Sequence, residues 1–280
     1  MSAALHDHHS LDNQTTKVEH NNYDLEAGNG VNMAGGAPLG RQISVQLTNE
    51  QYERLFLNPG GQKSKGDAAK RFGNPTPLGI ASFLLCLTPF SCELMGWAGT
   101  TTNAAATTVG AYYFIGGIGL YLSGLLEWII GNTFPATVFM VFGAFWLAFG
   151  FLLQPTQGIA AALGASSVDY NAGIALYLVW WGLLVLIFLI ASLRTNVVFV
   201  ALFTFLDITF WLLVTLYLDI AQAKTAHLAT LMKAAGATGF LTCICGWYLL
   251  VVLVFGSTGI PLALPVGDLS NFMSPRRKDA

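Results

Sequence analysis

Between Pro77 and Phe255 the chain runs through one apolar stretch after another, each about twenty residues long and nearly free of charge. Twenty residues of α-helix rise about 30 Å, the thickness of a bilayer's hydrocarbon core. Inside that core there is no water to satisfy the backbone, so a spanning segment of this length must be helical. The runs lie at 77–97, 109–130, 135–153, 172–192, 197–218 and 235–255. A soluble domain would carry about a quarter charged residues; here 10% are charged and 54% are hydrophobic. The expected fold is therefore all-α, a polytopic membrane protein with six transmembrane helices. The gaps at 131–134 and 193–196 are short enough to make tight antiparallel hairpins of spans 2–3 and 4–5. The gaps at 98–108, 154–171 and 219–234 are longer.

Basic residues set the orientation. With six spans, Lys63, Lys65, Lys70, Arg71, Arg194, Arg276, Arg277 and Lys278 fall on one side, and only Lys224 and Lys233 on the other. Both termini are thus expected to be cytoplasmic, in the plasma membrane. Residues 1–73 form a polar N-terminal tail, too poor in apolar surface to fold alone. Within it, Thr48-Asn-Glu-Gln51 has the form of a capping box, and Tyr52, Leu55 and Phe56 share a face, so a short amphipathic helix is expected near 48–57. The membrane domain covers 74–260, and 261–280 is a second cytoplasmic tail. The net charge of −2 points to no nucleic-acid partner. Cys86, Cys92, Cys243 and Cys245 all lie in apolar runs, and Cys243-Ile-Cys245 has no second ligand pair nearby, so packing is expected of them and no metal or other cofactor is implied.

Small residues mark the expected helix contacts. Gly119 and Ser123, Ala144 and Ala148, and Ala235 and Gly239 each form a small-xxx-small pair, the pattern that lets helix backbones approach closely in lipid. Oligomer formation is a natural use of so much small-residue surface. No internal repeat is evident, so an inverted-repeat transporter is not supported.

Three acids interrupt the apolar runs. A charged side chain at mid-bilayer costs about 3 kcal/mol or more, so such residues usually face the bundle interior or water. Asp207, deepest in its span, is the best proton-binding candidate. Glu127 sits near a span end, where proton coupling stands beside pairing with Arg194 or capping of a neighbouring helix. Glu93 lies near the outer end of span 1, where solvent is a sufficient partner. No Lys or Arg lies deep in any span. A small carboxylate would have to rely on helix N-termini, amides and hydroxyls, or cross as the neutral acid. Phosphate-binding loops, a zinc-peptidase motif and a nucleophile elbow are all missing, so an enzyme is not expected.

Asn74-Pro-Thr-Pro-Leu-Gly79 opens span 1 as a helix start, with a good N-cap followed by prolines in the tolerant first turn. It also resembles the NPxPLG signature of the acetate uptake transporter family, which includes fungal acetate/ammonia-export proteins and bacterial succinate–acetate permeases. Gly124-Leu-Leu-Glu127, Gly131-Asn-Thr-Phe134, Phe142-Gly-Ala-Phe-Trp146, Gly173-Ile-Ala-Leu-Tyr177 and Trp181-Gly182 continue the likeness in order, over about 74–260. The resemblance implies six spans per protomer, a homo-oligomer and often a hexamer, with a path for acetate and other short monocarboxylates, together with protons, through each protomer. It implies a narrow apolar gate whose Phe matches Phe83 and whose Leu matches Leu206. Its Tyr position is Phe142 here, which removes a hydroxyl. Asp207, beside the gate Leu, is a second departure from the family pattern. Asn74 and Asn132 are the substrate-binding candidates, each with a second role open to it as a plain helix cap.

Proton-coupled acetate uptake is therefore the leading expectation. Ammonium or ammonia export and an acid-sensing or signalling role for the long tail are the alternatives. Deleting residues 1–60 separates signalling from transport, because transport needs only the membrane core.

Overall fold

In the computed structural model the described residues are 72–261 and 264–269. Nearly all of the expected tail 1–73, including its amphipathic helix near 48–57, lies outside them, as does most of 261–280. The six expected spans are present as α1 (Thr76–Met95), α2 (Thr102–Ile129), α3 (Thr133–Leu153), α4 (Val168–Ser192), α5 (Val197–Ala221) and α6 (Leu228–Thr258). Each is long and apolar enough to cross a membrane, and no strand occurs among the described residues.

The boundaries move where polar side chains do not stop a helix. α6 begins at Leu228 rather than 235 because Lys233 points outward from the helix, as a long cationic side chain can at a membrane edge. α4 begins early because the Ser167 hydroxyl accepts from the Tyr170 amide at 3.2 Å and Asp169 sits in the first turn. α2 is not one regular helix. It opens as a 3-10 stretch (Thr102–Thr108), passes through Val109–Ala111 into a π-helical stretch (Tyr112–Gly119), and finishes as regular helix (Leu120–Ile129). Hydropathy does not register such a change of winding.

α1, α3 and α5 run in one direction and α2, α4 and α6 return. Neighbours pack in the order α4, α5, α6, α1, α2, α3. The circle closes between α3 and α4 through rings, with Phe142 and Phe145 of α3 at 5.7 Å and 4.9 Å from Trp181 of α4. Glycine sets the closest crossings. A β-carbon on Gly143 would lie 2.9 Å from the Gly117 carbonyl and 3.0 Å from the Tyr121 amide. On Gly124 it would lie 2.8 Å from the Met140 amide nitrogen. The backbones of α2 and α3 therefore touch. Gly236, Gly239 and Gly246 of α6 similarly receive Leu94, Ser91 and Leu84 of α1. The pair Ala144 and Ala148 behaves differently: both side chains are exposed on the outside of α3 and make no tight crossing within the protomer.

Residues 264–269 return across the bundle end. The Val197 amide donates to the Gly267 carbonyl at 2.9 Å and the Leu269 amide to Thr195 at 3.0 Å. The Tyr248 hydroxyl donates to the Pro265 carbonyl at 2.6 Å, and Val266 is buried in the core. This part of the expected C-terminal tail is packed structure.

Candidate functional site

The inward faces of α1, α3 and α5 meet at the bundle centre. Phe83, Phe142 and Leu206 are all buried there, 9%, 3% and 3% exposed. The Phe83 and Phe142 rings meet edge to face at 5.7 Å. These three line one side of a cavity of about 30 Å³, completed by Leu87, Phe90, Phe145, Trp146, Thr209, Phe210 and Leu213. That volume holds a water-sized molecule and little more. The residues beyond Phe83, Phe142 and Leu206 lie further along all three parallel helices, so the cavity extends from that layer toward the ends at Met95, Leu153 and Ala221. Trp181 of α4 backs the layer, its ring stacked on Phe210 at 6.2 Å. The surface the cavity presents is wholly apolar: the Thr209 hydroxyl is turned to the Phe205 carbonyl and Thr238, and the Trp146 N–H is enclosed without a hydrogen-bond partner.

At the opposite end of these helices a polar knot ties α1, α2 and α3. Glu127 is fully buried. The Thr76 hydroxyl donates to its Oε1 at 2.5 Å, and the Asn132 amide donates to its Oε2 at 2.7 Å. Thr76 in turn gives its backbone N–H to the Asn74 side-chain oxygen at 2.9 Å, and Ser123 donates to the Pro75 carbonyl at 2.8 Å. The proline-rich start of α1 is thus held by two side chains of α2, one of which is held in turn by Asn132 at the start of α3.

These contacts decide between the roles left open above. Asn74 is exposed and does act as a cap, reaching past Pro75 to Thr76. Asn132 stands at the start of α3 but makes no capping bond; its amide is committed to Glu127 instead. Glu127 does not pair with Arg194: Thr76 and Asn132 occupy its two oxygens, and the Arg194 Nε is enclosed without a partner. Asp207 follows Leu206 on α5, but the helical turn carries it away from the cavity lining, and it is half-buried with one enclosed, unpartnered oxygen. Glu93 is also half-buried with an enclosed oxygen, so solvent alone does not account for it. Phe83, Phe142 and Leu206 come together; Asn132 and Glu127 come together with Thr76; Asp207 joins neither group.

Thr76, Trp146 and Thr209 were missed in the sequence reading. Thr76 and Trp146 stand inside the quoted motifs, which was the available signal. Thr209 lies one turn after Leu206 on the same face, so helical spacing from Leu206 finds it.

A family model described as GPR1/FUN34/yaaH matches residues 56–271. The chain belongs to that family. Family members are transporters and channels rather than enzymes. The chain is similar to protein alcS of Aspergillus fumigatus, 44% identical over 84% of this chain and 89% of the relative. It is also similar to acetate transporter protein patA of Penicillium expansum, 35% identical over 83% of this chain and 94% of that one. Among solved structures it resembles the bacterial acetate channel SatP, with a TM-score of 0.57 and 25% identity, covering 70% of this chain and all of that one.

Proposed function

We propose that this chain carries acetate and other short monocarboxylates across the plasma membrane, with protons, through the centre of each protomer of a homo-oligomer, both termini being cytoplasmic. The observation that carries the reading is the layer of Phe83, Phe142 and Leu206 at the meeting of α1, α3 and α5, with a small cavity directly beyond it. The names of the acetate-transporting relatives and of the SatP channel support the substrate class. Rings this close admit only a small solute, and no cation stands among the lining residues to neutralise an anion. An ion held in such an apolar layer loses its hydration without compensation. The acid therefore crosses the layer in its neutral form, and uptake carries a proton with each molecule. Glu127, held between Thr76 and Asn132 on the approach side, is the carboxyl group we assign to the proton-handling end of the path, ahead of Asp207.

Labelled acetate uptake into proteoliposomes of verified orientation, with and without an inward proton gradient, tests this. Gradient-stimulated uptake that propionate inhibits is the expected result. No acetate uptake under either condition would end the reading and direct the same vesicles to ammonium flux.

A further inference from the structure

The layer of Phe83, Phe142 and Leu206 has a counterpart. Seven residues further along α1, α3 and α5 stand Phe90, Phe149 and Leu213, the same three residue types on the same three helices. Seven residues make almost two helical turns, so each pair shares a face of its helix, the second member about 10 Å further on. The rings also repeat their geometry. Phe90 and Phe149 meet edge to face at 5.1 Å and 78°, Phe83 and Phe142 at 5.7 Å and 70°.

The cavity lies between the two sets. Phe83, Phe142 and Leu206 line it on one side, and Phe90 and Leu213 are the lining residues furthest along α1 and α5. Phe149 does not line it; it packs on Phe90 and is met in turn by Tyr112 of α2, ring to ring at 5.5 Å. The cavity surface is wholly apolar, so it offers a solute no polar contact and sorts it by size. Burial falls from one set to the other. Phe83, Phe142 and Leu206 are buried, whereas Phe90, Phe149 and Leu213 are half-buried, as residues nearer an end of the bundle would be. Pro89 stands inside α1 directly before Phe90. It has no N–H to give to the turn before it, so α1 has a bending point between the two sets.

We propose that Phe90 and Leu213, with Phe149 holding Phe90, form a second apolar gate in series with the first, and that the two share the selection of acids by size. This rests on the transport reading above and adds residues to it. Apolar constrictions close by excluding water. A solute that has passed one layer still meets the other, so widening either alone leaves the path shut at the second depth.

The test uses the full chain in proteoliposomes and reads the butyrate-to-acetate ratio of initial uptake rates, with melting in detergent to establish folding. Resistances in series add. With two comparable layers, Phe142→Ala and Phe90→Ala should each raise the ratio by no more than about twofold, because half of the resistance stays, and together by well over about fourfold. Leu213→Ala widens the second layer from α5. It should behave as Phe90→Ala does, alone and combined with Phe142→Ala, and it decides the matter where Phe90→Ala does not fold. Leu216→Ala truncates a buried leucine of the same helix outside the cavity lining and should leave the ratio at its wild-type value. A double variant whose ratio is at or below the product of its two singles refutes the second gate. So does a rise in Leu216→Ala that matches Leu213→Ala, which would show general loosening. In both cases wild type still takes up acetate and the transport reading stands. If wild type takes up no acetate, both fall together.

Discussion

Truncating Glu127 tests how far the polar knot holds α1 in place. Glu127→Ala removes the acceptor for two buried donors, the Thr76 hydroxyl and the Asn132 amide. Thr76 is 1% exposed and Asn132 2%, so water does not replace the lost partner. Each abandoned donor costs about 1–3 kcal/mol. The pair therefore costs about 4 kcal/mol, near the upper range for single substitutions. At about 2–4 °C per kcal/mol for a chain of this size, the melting temperature should fall on the order of 10 °C. Glu127→Gln should fall by roughly half as much, because one acceptor survives and the Asn132 amide can turn to present its oxygen. Thr76→Val alone removes one of the two bonds. Combined with Glu127→Ala, it should add little, because its partner is already gone; the non-additivity should reach about 1 kcal/mol or more. Melting of the detergent-solubilised protein, read by loss of the monodisperse peak after heating, measures all four variants. A fall of less than 2 °C for Glu127→Ala, or strictly additive costs in the double variant, would refute the reasoning.

Three further outcomes follow from the packing. Gly143→Ala should destabilise far more than Gly119→Ala, since the first meets fixed backbone atoms at 2.9 Å and 3.0 Å and the second a serine hydroxyl that can rotate away; heated-sample chromatography ranks them. Phe142→Ala should cost about 3–5 kcal/mol, and by opening the layer it should let larger acids through, seen as a higher butyrate-to-acetate uptake ratio. Should that ratio stay unchanged, Phe142 is no gate. Asp207→Asn should leave gradient-stimulated acetate uptake within about twofold of wild type, because Asp207 does not line the cavity; abolished stimulation would return the proton-handling role to it.

The hydropathy of the chain was sufficient to find all six spans, because a bilayer leaves backbone groups few ways to be satisfied. It could not find the ends of α4 and α6, which depend on a serine cap and on where a lysine reaches. Nor could it find the π-helical stretch in α2, whose residues are as apolar as any regular span. The meeting of Phe83, Phe142 and Leu206 was legible only through resemblance: many phenylalanines in this chain are equally hydrophobic, and nothing in composition separates Phe83 from Phe90. The acids are weighed in sequence by charge and depth, and the structure adds their position on the helix. Asp207 drew attention as the deepest acid, yet its helical position turns it away from the cavity. Arg194 was one of the partners open to Glu127, yet a threonine and an asparagine from neighbouring helix starts hold it. Inside an apolar bundle the electrostatic choice is not the decisive one. An ion pair there must offset the dehydration of two charges, whereas neutral donors satisfy one carboxyl group at smaller cost. The same logic extends to the transported acid. Under the function proposed above, a path built from rings without fixed charge would favour the solute in the form that needs no counter-ion, and would make the proton part of the cargo.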